Sequence, residues 1–349
     1  MDIFDFKDEN EYADQMKTGA LLNPRIDSTF KALFTQDTPE SKGALHSFLE
    51  AATGLKITTV VLKPNDAPLL FDGQRRVSYD IQCTLDNNQI VNIEMQAFNQ
   101  AYDYGMRAEH QVARLEVSGL AKGDSWQKAP KVYQISVLNF EYKNSDDEQR
   151  KSADNTGINH YCMRTEGGKV LSKLLNVIFI ELPLVIKKEA TIDTNTALEN
   201  WAIFLKEADN PKKQDLIKQL ISKEAGLMQA QQSLSSISAN RDLWLDEYRY
   251  EVFERDRKSS IEASEKHGFD IGLKKGFETG LQQGMQQGIQ QGIQQGLQQG
   301  MQQGMQQGKM DTLKIVVQNL LKVNTLSVKD IASSTGLSVE EVERIAKGC

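Results

Sequence analysis

The sequence predicts a mixed α/β domain at about 23–190, followed by a helical region, a repeat stem and a small helical unit. Three observations predict it. Extended segments rich in β-branched and aromatic residues (57–62, 77–85, 89–97, 132–140 and 174–185) are interleaved with stretches of helical period. From 191 to about 265 the apolar spacing is helical. Glycine then recurs at every fourth position from Gly268 to Gly308, and residues 309–349 return to ordinary complexity.

Residues 1–22 are acidic and weakly patterned, as expected of a frayed lead-in. After Asn23-Pro24, Asp27 or Ser28 can cap a short helix that presents Phe30, Leu33 and Phe34 on one side. A second helix, roughly 40–53, carries Leu45, Phe48, Leu49 and Ala52, with Gly54 placed to end it. The strands 77–85 and 89–97 flank Asp86-Asn87-Asn88 and read as a hairpin. A helix over about 102–121 is expected to turn Met106, His110, Ala113, Val117 and Leu120 inward, with Arg107, Gln111, Arg114 and Ser118 on another face. The segment 132–140 is nearly continuous in apolar residues, as for a strand covered on both faces, and 174–185 reads as a further buried strand stopped by Pro183. Leu198, Trp201, Ala202 and Leu205, then Leu243, Trp244, Tyr248, Val252 and Phe253, mark the helical region.

Bulk properties narrow the function classes. No apolar run approaches the ~20 residues that span a bilayer, and the acidic start MDIFDFKDENEYADQ does not read as a signal peptide. Cys83, Cys162 and Cys349 are scattered, which argues against a disulfide framework or a zinc ribbon and points to a reducing cytoplasm. His46, His110, His160 and His267 share no metal-ligand spacing. A net charge of −7 counts against a broad sequence-independent grip on nucleic acid, so any nucleic-acid chemistry must rest on a local site.

The hairpin is that candidate. Period-two geometry puts Glu94 and Gln96 on one polar face, away from Ile93, Met95 and Ala97. A three-residue loop pairs Leu85 with Gln89, so paired numbers sum to 174 and Asp80 falls opposite Glu94. Tyr79, Ile81 and Cys83 are expected on the opposite face. Directly opposed residues bring their Cβ atoms to about 4.5–5.5 Å, and two carboxylates so placed repel unless a cation bridges them. A divalent ion there can activate water and neutralise charge on a phosphodiester; Gln96 can orient that water or hold a phosphate oxygen. The same alternation also describes a solvated sheet face, but the neighbouring helix and strands are able to cover it, and covered carboxylates need a partner.

Three motifs, D-x-x-F-K-x-L-F (27–34), S-Y-D-I-Q (78–82) and N-I-E-M-Q (92–96), resemble the Rpn family of recombination-promoting nucleases, also described as transposases of the PD-(D/E)XK nuclease superfamily. The likeness continues through Arg107, 131–140, F-I-E-L (179–182), the glycine repeat and T-G-L-S-x-E-E-V (335–342). The resemblance implies a restriction-endonuclease-like mixed sheet flanked by helices, cutting DNA with Mg²⁺ or Mn²⁺. It implies Asp80 and Glu94 as metal ligands, the Met95 carbonyl as a third, and links to recombination, mobile elements or defence. Gln96 stands where the superfamily usually has lysine, a form usual in the Rpn branch. Asp27 has two readings, a helix cap worth roughly 1 kcal/mol or a third site carboxylate. Arg107 and Arg114 read either as phosphate contacts or as solvated arginines, and His110 as a core histidine or a base.

The repeat, at 266–308, is built mostly of G-[LMI]-Q-Q units. A period of four drifts about 40° per unit around a straight helix, and each glycine costs roughly 1 kcal/mol against alanine. Two readings are open: a helical stem that associates with a second copy, or a spacer. Residues 309–349 have a helix-turn-helix outline with Gly336 in the turn, but Glu340, Glu341 and Glu343 in the second helix would repel phosphates. A helical cap or partner-binding unit is the expectation there.

Overall fold

The computed structural model describes residues 18–66, 77–99, 102–143 and 156–348. Most of the acidic lead-in, and Cys349, lie outside the described residues. The chain divides into two compact units between Arg257 and Lys258.

In the first unit, helix α1 (Asp27–Thr35) and helix α2 (Pro39–Thr53) precede strand β1 (Val60–Lys63). The hairpin of β2 (Ile81–Leu85) and β3 (Ile90–Gln96) follows, then α3 (Tyr104–Ser118) and β4 (Val132–Leu138). Strands β5 (Ile158–Cys162) and β6 (Leu175–Glu181) complete a six-stranded sheet of order β1-β2-β3-β4-β6-β5. β3, β4 and β6 run parallel, while β1, β2 and β5 pair antiparallel with their neighbours. The parallel strands are buried on both faces and therefore read as near-continuous apolar runs. β5, a partly exposed edge, carries no such signal and was not expected from the sequence. β6 stops at Glu181, and Pro183 falls in the first turn of a short helix, α4 (Leu182–Val185).

The hairpin register is the one expected: Ile81 pairs with Ile93, Gln82 with Asn92 and Cys83 with Val91, and the Leu85 amide donates to the Gln89 carbonyl at 2.8 Å. On one face of the sheet, Ile81, Cys83, Ile93, Met95, Ile135 and Ile178 pack under α1 and α2 together with α5 (Ala197–Glu207) and α7 (Ala225–Ile237). Helix α6 (Gln214–Lys223) contributes Ile217 and Leu220 to the same core. Trp201 on α5 is fully buried against Phe34 and Phe48, with ring centroids 5.9 and 5.4 Å away. On the other face, α3 packs Tyr104, Ala108, Val112 and Leu115 on Val132, Leu138, Val177 and Phe179.

Three expectations are corrected here. Tyr79 belongs to the α3 side, not with Ile81 and Cys83, because regular pairing begins only at Ile81 and the chain bends at Asp80. Helix α3 is rotated from its expected setting: Met106, His110 and Val117 are exposed, whereas Ala108, Gln111, Val112, Arg114 and Leu115 face the sheet. His110 is therefore not a core histidine. Finally, neither Asp27 nor Ser28 caps α1; Ile26 holds that position without a side-chain bond, and Asp27 lies in the first turn.

Helix α8 (Arg241–Val323) starts in the first unit, where Phe98, just beyond β3, contacts Tyr250 and Phe253 and lies 4.2 Å below the Arg257 guanidinium. In the second unit, described residues of α8 from Lys258 to Thr312 are exposed. Its end packs Val317 with Ile331, Ala332, Val342 and Ile345 of α9 (Val328–Thr335) and α10 (Val339–Ala346). Reciprocal capping by Ser327 with Asp330 and Ser338 with Glu341 starts these short helices, and Gly336, at φ 74°, ends α9 in the left-handed conformation that glycine accepts. No helix among the described residues is long and apolar enough to cross a membrane. Cys83 and Cys162 are free thiols.

Candidate active site

The bend that ends β2 at Asp80 builds the site. Continuing the ladder would require Tyr79 to pair with Met95; instead the Met95 amide donates to Asp80 Oδ2 at 2.9 Å. The Asp80 amide in turn donates to Glu94 Oε1 at 3.3 Å. The two acids that the register places opposite one another are thereby tied together, each accepting a backbone N–H from the other's strand. Among the sequence-derived site residues, Gln96 joins them: its Nε2 donates to Glu94 Oε2 at 3.4 Å.

A row of buried polar side chains on the α3 face supports Glu94. Asn92 Nδ2 donates to Glu94 Oε1 at 3.0 Å and to Gln134 Oε1 at 2.8 Å. Gln134 donates to Ser136 Oγ at 3.3 Å, which also accepts from the Tyr104 hydroxyl at 3.0 Å. Period two places Asn92, Glu94 and Gln96 on the same face of β3, and Gln134 and Ser136 on the matching face of β4. This relay was not singled out from the sequence, although the alternation that revealed Glu94 and Gln96 contains it.

Two cations reach the acids from opposite sides of the sheet. Arg107 Nη2 on α3 lies 3.2 Å from Glu94 Oε2 and its Nη1 donates to the Tyr102 hydroxyl at 3.0 Å. Lys31 Nζ on α1 lies 3.2 Å from Asp80 Oδ1 and 2.9 Å from Asp27 Oδ2. Asp27 therefore reaches the site through Lys31. Lys31 stands inside the helix motif 27–34, outside the residues expected at the site, and its i,i+4 spacing from Asp27 is the sequence signal that points to it. Arg114 is buried against the sheet, so the structure does not present it on a face open to phosphate.

The electrostatics follow from burial. Desolvation, then the charges of Glu94 and Asp27, push Asp80 up to about 7, against the opposing pull of Lys31 and the Met95 amide. Burial raises Glu94 as well, while Asn92, Arg107 and the Asp80 amide pull it back. Burial opposes the charge on Lys31, but the two aspartates outweigh it and hold its ammonium above the usual lysine range. Burial is thus the leading cause of the raised proton affinity of both acids.

That donor set suits a hard divalent cation in kind: one buried and one partly exposed carboxylate, both with raised proton affinity, with the Gln96 amide beside Glu94. Among the described residues no three His, Cys, Asp or Glu side chains converge as a metal cluster, so further oxygens would come from backbone, amide or substrate. A protein-family model described as PD-(D/E)XK nuclease family transposase matches residues 24–264. No curated protein and no solved structure gives a significant match.

Proposed function

The chain belongs to the PD-(D/E)XK nuclease family transposases, and on that premise we propose that it is a DNA endonuclease acting at the Asp80–Glu94 end of the sheet. Within the family we read it as an Rpn-type, recombination-promoting nuclease. The observation that carries the activity is the mutual tie of two carboxylates, the partly exposed Asp80 and the fully buried Glu94, each also matched to a cation.

Asp80 and Glu94, with the Met95 carbonyl, would hold Mg²⁺ or Mn²⁺. Such an ion, when bound, polarises a phosphodiester and acidifies a water. The protein's own residues do the rest. The Asn92–Gln134–Ser136–Tyr104 relay fixes the Glu94 carboxylate so that it does not reorganise when substrate arrives. Gln96 offers its amide beside Glu94 to orient water or a phosphate oxygen. Arg107, partly exposed, turns the donors that Glu94 and Tyr102 do not use toward the DNA backbone. We assign the exposed stem of α8 to association with a second copy.

The test is cleavage of supercoiled plasmid with Mg²⁺, Mn²⁺ or EDTA by the intact chain, Asp80→Ala and Glu94→Ala. Metal-dependent nicking lost in both variants supports the reading. Cleavage that persists in both sinks it. DNA binding without cleavage by any form would instead favour a non-catalytic DNA-binding protein that retains the fold.

A further inference from the structure

The positive charge on the Asp80 side of the site comes from Lys31, which approaches from α1. Gln96, on the strand itself, supplies only a dipole, and Arg107 stands on the other face of the sheet, beside Glu94. Hydrolysis of a phosphodiester gathers negative charge on the phosphate oxygens, and a site that already holds two carboxylates needs a cation facing that phosphate. Lys31 has the required exposure and reach. Its side chain keeps 31% of its surface, against 15% for Asp80, so the lysine is the more open of the two partners. An ammonium has three donors; Asp80 and Asp27 take two here, and the third can turn to a phosphate oxygen. Asp27, 57% exposed and on the same helix face, fixes the direction of the lysine stem.

We propose that Lys31 is a catalytic residue whose ammonium contacts the phosphate being cut, and that Asp27 is a positioning residue that aims it. This rests on the nuclease reading and assigns charge stabilisation within it to α1.

The experiment measures plasmid cleavage, thermal unfolding and Mn²⁺ binding by calorimetry for the full chain, Lys31→Ala, Lys31→Arg, Asp27→Asn and the double variant Lys31→Ala/Gln96→Lys. Lys31→Ala is expected to slow cleavage by about a hundredfold or more, the usual loss for one transition-state donor. Lys31→Arg should retain most of the rate, and Asp27→Asn should fall between them. Mn²⁺ should bind Lys31→Ala at least as tightly as the full chain, because the ammonium competes for Asp80. The double variant should recover cleavage, since a lysine at 96 returns a positive charge to the same acids. A structural ion pair would give the opposite pattern: loss of Mn²⁺ binding and thermal stability with the rate, and no recovery from position 96. That pattern, or a wild-type rate in Lys31→Ala, overturns the proposal. A wild-type chain that cleaves nothing removes the nuclease reading instead, and weakened Mn²⁺ binding in Lys31→Ala would still count separately against Lys31.

Discussion

Lys31 and Arg107 approach one pair of carboxylates from opposite faces of the sheet, each 3.2 Å from its acid: Lys31 at Asp80 and Arg107 at Glu94. The arrangement follows from a strand end buried between α1 and α3. Glu94 is fully buried and Asp80 only partly exposed, and each layer contributes a cation. It also makes the two ion pairs separable, because they sit on different helices.

Removing Arg107 leaves Glu94 without its cation at a fully buried position. Breaking a fully buried pair from one side costs about 3–5 kcal/mol, and the partial exposure of Arg107 puts this pair toward or below the lower figure, whereas removing both charges costs far less. Arg107→Ala is therefore expected to destabilise, and Arg107→Ala/Glu94→Gln to recover much of that loss while remaining inactive. Urea unfolding of the single and double variants checks it. Equal losses in both would mean that Glu94 does not depend on Arg107.

Glu247 gives the fold a pH dependence outside the site. It is buried on the first turns of α8, where it accepts the Asn23 amide at 3.0 Å, and burial with the nearby Asp209 and Glu251 charges raises it from 4.5 to about 7. The folded protein then holds a proton that the unfolded chain releases, so stability falls as pH rises from about 4.5 to about 7 and levels off above. The shift corresponds to a loss on the order of 3 kcal/mol. Glu247→Gln keeps the acceptor and removes the charge, so its stability should exceed that of the parent at pH 8 and match it more closely at pH 5. Asp80 and Glu94, raised likewise, leave a residual slope of the same sign. Parallel curves for parent and variant would exclude Glu247 as a source.

The hairpin was legible in the sequence because its register needs only period two and an odd loop, and both are local. α3 was misread for a reason tied to the site. Its inward face must meet Glu94 and the buried polar row, so Arg107, Gln111 and Arg114 point in and the apolar Met106 and Val117 are left outside. A pattern that equates inward with apolar fails where the covered surface is polar. Lys31 escaped notice because its second partner, Asp80, lies 49 positions away across the fold. Tyr79 was misplaced because alternation was carried through the bend at Asp80, which is what frees that carboxylate to take the Met95 amide.

The core ties the helices after β6 to the sheet. Trp201 and Phe204 are fully buried, and Trp201 meets the rings of Phe34 on α1, the helix that carries Lys31, and Phe48 on α2. Trp201→Ala should cost about 3–5 kcal/mol, as for other large buried aromatics. A chain ended at residue 190 should fail to fold, because α1 and α2 would expose that aromatic face. Circular dichroism and proteolysis of the truncated chain test this, and a cooperative unfolding transition in it would contradict the packing argument.

The glycine row of the stem offers a sharper discrimination. A Cβ built on Gly284, Gly288, Gly292 or Gly296 meets nothing within 4 Å in the described chain, so alanine at all four positions is sterically free and should favour helix by roughly 1 kcal/mol each. The row lies among exposed Met285, Ile289, Ile293 and Leu297, with no charged residue between Glu278 and Lys309. If that surface closes on a second copy, four added methyl groups hold the helices apart. We expect the quadruple alanine chain to gain helicity by circular dichroism and to lose association by sedimentation equilibrium, with plasmid cleavage measured alongside. A gain in helicity with unchanged association would assign the glycines to chain flexibility and remove the stem as the contact between copies.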